Sequence, residues 1–387
     1  CHAKALTKTD AMVRLAKRLP NSDVHMLDTG CCGMAGSFGM KDDKFQLSVQ
    51  VAKPLVDQIQ ALRAGRPPDI DGRLDDEAWR TAPMIDNFTQ QEPAVGQPST
   101  ERTEVRILYD ASHLYIGVHA FDSDPDHITA TEMRRDSDRL FDEDNFEVIL
   151  DTFRDSRNGY MFVTNPLGAK LEQQVFEEGG GNTRGAASNI NKDWNGVWDA
   201  AARRTSDGWT AEIAIPMVTV RSPDVAVQAW GINFMRNIRR KNEFAFWSPI
   251  PKPYGLTQVS LAGTVSGMRD LNRGLDLRIK PFTIAGFRGN RTGSVSTSNG
   301  LKDVGLDVKY GLGSGLTLDI TANTDFAQAE VDEQQVNLTR FPLFFPEKRE
   351  FFLEGAGIFD FGGASSTAGG GGGGLTPLMF FSRRIGL

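Results

Sequence analysis

Cysteine is scarce in this chain, and its distribution is uneven. Only three cysteines occur among the 387 residues, and Cys1, Cys31 and Cys32 all lie within the first 32 positions. A network of disulfide bonds therefore cannot stabilise the rest of the chain. The sequence also lacks an unbroken run of the roughly 18–20 apolar residues that a membrane-spanning helix needs.

An excess of positive charge is missing as well. The chain has 43 Lys and Arg against 50 Asp and Glu, a net charge of -7, so we expect no nucleic-acid partner. Residues 1–66 differ from the remainder, because they carry 10 Lys and Arg against 6 Asp and Glu. This change, together with the cysteine distribution, predicts a domain boundary after residue 66.

The opening segment, residues 1–66, has the pattern of a small α/β fragment. Apolar residues at helical spacing predict a helix over 3–19, and VHMLDTG at 24–30 predicts a strand that runs into a glycine-rich loop. A second helix is predicted over 43–63. Two prolines and two glycines near residues 65–72 then interrupt the helical pattern.

From residue 67 to about 268 the sequence favours short strands. Apolar and polar residues alternate, and turn residues such as Asp207-Gly208 separate the segments. The predicted strands lie at 103–110, 113–122, 145–153, 159–165, 209–216 and 229–240. Many short strands with few helices indicate a mainly β fold, an antiparallel β-sandwich.

Residues 269–387 carry longer alternating segments, at 275–289, 303–312 and 316–326. Strands of about ten residues with one apolar and one polar face are typical of a transmembrane β-barrel. The same alternation also fits a further soluble sheet, and periodicity does not separate the two. We predict the first strands of a barrel.

Two motifs in the opening segment, CHAKAL at 1–6 and LDTGCCGMAGSFGM at 27–40, resemble the cysteine-rich CCG domain of iron–sulfur oxidoreductase subunits. The resemblance implies an alternative function as an electron-transfer subunit, with Cys1, Cys31 and Cys32 as ligands. A four-cysteine cluster site is incomplete with three thiols. We therefore expect no iron–sulfur cluster in this chain.

The middle segment resembles family 9 carbohydrate-binding-like domains. DIDGRLDDEAWRTAP at 69–83, DEDNFEVILD at 142–151 and GYMFVTNPLGA at 159–169 carry the similarity. It implies a sandwich that binds a glycan or oligosaccharide by aromatic stacking and by hydrogen bonds to hydroxyl groups. The expected stacking residues are Trp247, Phe141, Trp194 and Trp198, and the expected polar contacts are Arg134, Glu143, Asn165 and Arg236.

One position departs from the sugar-binding members of that family. They have a tryptophan just before the acidic strand, where this chain has Leu140-Phe141. One wall of the expected aromatic clamp is therefore weaker, and we expect weak sugar binding.

Acidic residues are dense between Asp136 and Asp155, and carboxylates at short spacing on loops suit calcium. Family 9 modules carry structural calcium, and Asp142, Asp144 and Asp151 are the candidate ligands. A solvated acidic face is the simpler reading of the same pattern.

The last third resembles an uncharacterised bacterial family in which a family 9-like sandwich precedes an outer-membrane β-barrel; FFPEKREFFLEG and FSRRIG carry the similarity. It implies an exported protein of the cell envelope, in the periplasm or outer membrane, that binds glycans or takes part in carbohydrate catabolism. We expect a non-catalytic module with no catalytic residues. Glycoside hydrolysis is a further alternative, although no pair of carboxylates stands out as acid and base.

Overall fold

The computed structural model describes residues 58–180, 190–192, 194–272, 277–292, 295–311 and 317–323. These residues form three sheets. The large sheet contains β1 (Gln58–Gln60), β4 (Thr89–Glu92), β7 (Asn145–Asp151), β8 (Gly159–Thr164), β9 (Lys170–Val175), β10 (Ile190–Asn191), β13 (Val227–Ile238), β14 (Glu243–Phe246) and β15 (Gly263–Arg269). The small sheet contains β2 (Leu62–Arg63), β3 (Met84–Ile85), β5 (Thr103–Tyr109), β6 (His113–Phe121), β11 (Asp199–Thr205) and β12 (Gly208–Pro216).

Helices are few and short in the described part of the chain. One α-helix, α1 (Glu77–Thr81), precedes β3, and the 3-10 helices span Pro125–His127, Asp138–Asp142, Glu177–Gly180, Arg239–Lys241 and Val259–Leu261. No helix among the described residues is long and apolar enough to cross a membrane.

The predicted mainly β fold and antiparallel sandwich are confirmed. Neighbouring strands are antiparallel, as in β5–β6 and β7–β8, apart from two short parallel pairs at sheet edges, β1–β15 and β2–β5. Within each strand one set of alternate side chains points into the space between the sheets. There they form one apolar core that includes Val105, Ile116, Phe162, Trp209 and Trp230.

The helix predicted over 43–63 is wrong for residues 58–63. Those residues form β1 and β2, which pair with β15 and β5 in the two sheets of the sandwich. Pairing with distant strands outweighs the local helical pattern here. The sandwich therefore includes residues that the sequence boundary after residue 66 had assigned to the opening segment.

Trp79 on α1 covers the outer face of the small sheet. Its side chain is buried and packs against Leu108, Tyr115 and Ala214. The ring lies over Gly117, where an added Cβ would be 3.0 Å from the indole. Glycine at this position thus makes room for the tryptophan.

A buried carboxylate, Glu212 on β12, attaches this part of the chain to the sheet. Its Oε1 accepts a hydrogen bond from the Trp79 indole Nε1 at 2.7 Å. Its Oε2 accepts the backbone N–H groups of Asp71 and Gly72 at 2.9 and 2.8 Å. The turn and the helix are therefore both anchored by one side chain.

The C-terminal sheet contains β16 (Leu277–Thr292), β17 (Val295–Gly311) and β18 (Thr317–Ala322) in an antiparallel meander. Register places Ile279, Val308 and Ile320 side by side on one face, with Leu306 and Val304 on the same strand face as Val308. The opposite face carries the Lys309–Asp319 ion pair and a hydrogen bond from Thr321 to Asp307. This sheet therefore has one apolar and one polar face.

We predict that Glu212→Ala lowers the free energy of unfolding by about 2–4 kcal/mol, because each buried donor left without an acceptor costs ~1–3 kcal/mol. Urea denaturation of the full chain measures the change. Glu77→Ala, on the exposed side of α1, is the matched control and should change it by less than about 0.5 kcal/mol. Equal midpoints for the two variants would show that Glu212 does not anchor the turn.

Candidate functional site

Strand β7 is buried along its whole length because both of its faces are covered. Phe146, Val148 and Leu150 point into the sandwich core. The alternate residues, including Glu147 and Ile149, point to the outer face of the large sheet. A charged residue therefore stands on a sheet face that is otherwise largely apolar.

Cross-strand register defines the neighbours of Glu147 on that face. Met235 on β13 and Val163 on β8 lie directly beside it. Phe246 on β14 and Leu171 on β9 continue the row on either side. The row belongs to a second apolar cluster, distinct from the sandwich core.

Two chain segments cover this outer face. The 3-10 helix Asp138–Asp142 contributes Leu140 and Phe141, and residues 247–261 contribute Ile250, Leu256 and Val259. Hydrogen bonds hold the first segment in place, since the side-chain amide of Asn145 donates to Leu140 O at 2.6 Å and that of Asn237 to Phe141 O at 3.2 Å. Phe141 remains half-buried at the edge of the cluster.

Glu147 has no partner among the described residues. The residue is 4% exposed, and its carboxyl group makes no hydrogen bond or ion pair with any described group. Burial alone raises the pKa of its carboxyl group to about 8.

Gln173 on β9 is the second polar side chain of this kind. It is 3% exposed, faces outward beside Met161, and its amide has no hydrogen-bond partner among the described residues. The strands β7 and β9 flank β8, so they lie about 10 Å apart. Gln173 lies across β8 from Ile149, one row along the sheet face from Glu147. We call Glu147, Gln173 and Phe141, which packs against the same apolar cluster, the Glu147 site.

The three predicted stacking tryptophans require a correction, because a sugar ring stacks only on an exposed ring face. Trp247 is 3% exposed, Trp198 2% and Trp194 9%. All three belong to the sandwich core, where Trp198 and Trp194 pack edge-on against Phe162 at 5.2 and 5.9 Å between ring centroids. Of the four predicted aromatic residues, Phe141 alone lies at the Glu147 site.

Arg236 also requires a correction, because it is fully buried between the sheets. From β13 of the large sheet it donates to Arg102 O at 3.0 Å and to Phe121 O at 2.7 Å in the small sheet. Its guanidinium lies 3.8 Å from the buried carboxylate of Asp122. Burial lowers the pKa of Arg236 to about 10, so it stays charged at neutral pH and links the two sheets.

The remaining predicted polar contacts stabilise a loop. Asn165 and Glu143 are buried, and Asn165 donates to Glu132 O while Glu143 accepts the backbone N–H of Thr131 at 2.8 Å. Arg134 is exposed and forms an ion pair with Glu132 at 2.9 Å. These groups hold residues 131–134 in place, and none of the three is brought to the Glu147 site by the contacts they make.

The three proposed calcium ligands are not brought together. Asp144 and Asp151 flank β7 at opposite ends, roughly 20 Å apart, and Asp142 is exposed. Asp144 accepts the backbone N–H of Thr129, and Asp151 accepts that of Ser156, both at 2.8 Å; burial raises the pKa of each carboxyl. The described residues contain no group of three His, Cys, Asp or Glu placed to hold a metal. Cys1, Cys31 and Cys32 lie outside the described residues.

The middle of the chain matches a family of known proteins. Residues 70–245 match the carbohydrate family 9 binding domain-like family. The matched region, called the family 9-like domain below, contains the strands from β3 to β13, most of β14 and the three residues of the Glu147 site. Residues 274–387 match a domain of unknown function, DUF5916.

Three solved structures are similar to this chain. A protein of Bacteroides uniformis described as carbohydrate-binding is 12% identical, with a TM-score of 0.43 over 54% of this chain and 98% of its own. A carbohydrate binding module of family 9 from Caldicellulosiruptor kristjanssonii was solved with cellotriose, at 16% identity and a TM-score of 0.36 over 54% of this chain and 92% of its own. The complex of such a module with glucose gives 14% identity and a TM-score of 0.37, over 56% of this chain and 100% of its own.

One curated relative matches a short stretch. It is a subunit of the anaerobic glycerol-3-phosphate dehydrogenase of Escherichia coli, and it is 32% identical over 60 residues, which is 16% of this chain. This chain spans 15% of the length of that relative.

Sequence reasoning found Phe141 at the site but not Gln173, and it grouped Glu147 with a general acidic stretch. The available signal was the position of Glu147 inside the apolar run NFEVIL. A charged residue inside an apolar strand is unusual, because charged residues are rarely buried and buried charges normally have partners.

We predict that Arg236→Met lowers the free energy of unfolding by about 3–5 kcal/mol, since it removes the hydrogen bonds that the buried guanidinium donates to Arg102 O, Phe121 O and the Thr103 hydroxyl. Arg157→Met is the control, because both partners of its ion pair with Glu177 are exposed, and it should change stability by less than about 0.5 kcal/mol. Chemical denaturation of the two variants measures the difference, and a midpoint for Arg236→Met equal to that of the control would rule out the inter-sheet role.

Proposed function

We propose that the family 9-like domain binds a glycan at the Glu147 site. The observation that carries the proposal is the pair of almost buried polar side chains, Glu147 and Gln173, that lack partners among the described residues on an apolar sheet face. Buried polar groups in folded proteins are nearly always satisfied internally. A ligand with hydroxyl and ring oxygens would supply the missing hydrogen bonds.

The site offers the two kinds of contact that a sugar needs. Phe141, half-buried at the edge of the apolar cluster, provides an aromatic surface for the C–H groups of a pyranose ring. The amide of Gln173 both donates and accepts hydrogen bonds, and the carboxyl group of Glu147 adds a third polar contact.

Binding without catalysis suits this arrangement better than glycoside hydrolysis. Hydrolysis requires two carboxyl groups on either side of one glycosidic bond. The residues next to Glu147 on its face are Met235, Val163, Asn145 and Ile149, and none carries a carboxyl group. We therefore propose a binding module that acts in glycan capture.

We predict that Phe141→Ala and Gln173→Leu each weaken binding of cellotriose at least about five-fold, because an aromatic contact and a hydrogen bond are each worth ~0.5–1.5 kcal/mol. Isothermal titration calorimetry on the full chain measures the affinity. Phe153→Ala, an exposed phenylalanine just beyond the far end of β7, and Gln174→Leu, whose side chain points to the opposite sheet face, are the matched controls.

Loss of binding in both control variants, or its retention in both test variants, would place the glycan elsewhere. Glucose and a panel of β-linked and α-linked oligosaccharides then serve as further probes of the wild-type chain.

We also propose that the C-terminal sheet attaches this domain to the outer membrane as part of a β-barrel. Its apolar face is largely open to solvent, with Val304 72% exposed, Ile279 59% and Ile320 52%. A row of large apolar side chains at this exposure suits a hydrocarbon environment. The ion pair between Lys309 and Asp319 on the opposite face suits a polar lumen. In this proposal the protein belongs to the cell envelope and its glycan serves carbohydrate uptake or catabolism.

We predict that Ile279→Asp with Ile320→Asp lowers partition of the full chain into phosphatidylethanolamine–phosphatidylglycerol vesicles at least about ten-fold, because a charge on a lipid-facing strand costs ~2–4 kcal/mol at the midplane for basic residues and somewhat less for acidic ones. Arg278→Gln, on the polar face, should leave partition unchanged. Vesicle flotation measures the effect. Equal partition of the aspartate variant and the wild type would remove the membrane role of this face.

A further inference from the structure

Two amide side chains on the same sheet face as Glu147 have oxygens that lack a donor. Asn145 lies two residues before Glu147 on the same strand face, and Asn237 is the cross-strand partner of Asn145. Both side-chain amides use their N–H groups on backbone carbonyls, Asn145 on Leu140 O and Asn237 on Phe141 O and Glu143 O at 3.2 and 2.9 Å. Their Oδ1 atoms are buried and unpaired among the described residues.

No described cation is placed to balance a charge on Glu147. On the surrounding strands the facing residues are Met235, Val163 and Phe246, which are apolar, besides the two amides. Asp151 ends the same strand and is held by the turn that follows it. On the covering segments the titratable groups are Asp138, Arg139, Asp142, Lys252 and Tyr254, and none forms an ion pair or hydrogen bond with Glu147.

This environment disfavours a carboxylate and favours a proton donor. A charge on Glu147 would lie in apolar surroundings, on a sheet face where two amide oxygens already lack donors. A protonated carboxyl group is neutral and keeps an O–H group to donate. The apolar neighbours and the lack of a described cation thus favour the same protonation state as burial does.

From this geometry we infer that Glu147 is held as a neutral carboxylic acid and that its O–H group is the hydrogen-bond donor to an acceptor oxygen of the ligand. The role as hydrogen-bond donor to a ligand rests on the proposed glycan-binding function. The chemistry that fits is a ring or glycosidic oxygen of a neutral sugar, or the carboxylate of a uronic acid.

The protonation state has a test that needs no ligand. The ordinary pKa of a glutamate in an unfolded chain is about 4.3. Because the folded value is raised, the stability that the neutral acid contributes is complete below about pH 4 and is lost as the pH rises to about 8. Glu147→Gln replaces the acid by a neutral group of the same shape and does not titrate.

We therefore expect the urea midpoint of the full-length Glu147→Gln variant to rise relative to that of the wild type between about pH 5 and pH 8, and the difference to be constant above about pH 9. An infrared difference spectrum at about pH 6.5, wild type minus variant, should show the C=O stretch of a protonated carboxyl group. A midpoint difference that does not change over that pH range, with a carboxylate band in the spectrum, would overturn the inference.

The donation of the Glu147 O–H to a ligand is tested with cellotriose and with trigalacturonate, which distinguish a neutral acceptor from an anionic one. If only the neutral acid binds, the wild-type affinity for the accepted probe falls roughly 10- to 30-fold from about pH 6 to about pH 9.5, in proportion to the remaining neutral fraction. In Glu147→Gln the amide N–H replaces the acid O–H as donor, so the affinity of this variant should show no such fall between the two pH values. Glu147→Ala should bind weakly at both values.

Two results would contradict this. Wild-type affinity that rises with pH, together with loss of binding in Glu147→Gln, would show that the carboxylate contacts the ligand, and glycan binding itself would stand. Absence of binding of both probes to the wild type at every pH would overturn the proposed function and the ligand role with it, while the stability comparison decides the protonation state separately.

Discussion

The large sheet is buried on both faces, and the rest of the sandwich is arranged around that constraint. One face packs against the small sheet through Phe146, Phe162 and Trp230. The other face carries Met161, Val163 and Leu171, which would be exposed in a simple two-layer sandwich. Two connecting segments, around residues 138–142 and 247–261, fold over them. The Glu147 site lies within this second contact, where cover comes from short segments of the chain and not from another sheet.

Arg236 and Glu147 show opposite ways of placing an ionisable group in such an interior. Arg236 has two backbone carbonyls, a hydroxyl group and a carboxylate around it, so its burial links the two sheets. Glu147 has none of these among the described residues, and its burial is unfavourable for the charged form. Buried charges with several such partners serve the fold, whereas a buried acid with none indicates that stability has been given up for another role. That contrast is why the site is placed at Glu147.

Strand positions could be predicted from the sequence, but the partners of the aromatic residues could not. The alternation in TEVRILYD and NFEVILD predicts β5 and β7 to within two residues at their ends. The same alternation does not say which face meets the other sheet, so Trp194, Trp198 and Trp247 were expected at a sugar site and instead lie in the core. Residues 58–63 have a locally helical pattern, and only pairing with β15 and β5 makes them strands. Gln173 carries no sequence signal, because its importance comes from having no partner among the described residues.

Alternation does not show what covers a sheet face, and for this reason it did not distinguish a soluble sheet from a barrel for the C-terminal strands. Val105 in β5 and Val304 in β17 both occupy alternating apolar positions, yet Val105 is fully buried and Val304 is 72% exposed. Periodicity fixes which residues share a face, but the cover of that face is a property of the folded molecule. In the small sheet the cover is the large sheet, and the outer face of the large sheet is closed by loops. The apolar face of the C-terminal sheet has no comparable cover among the described residues, and a polar ion pair occupies its opposite side. In the proposed barrel, lipid would cover that face, by the same tendency of apolar side chains to leave water that brings the two sheets of the sandwich together.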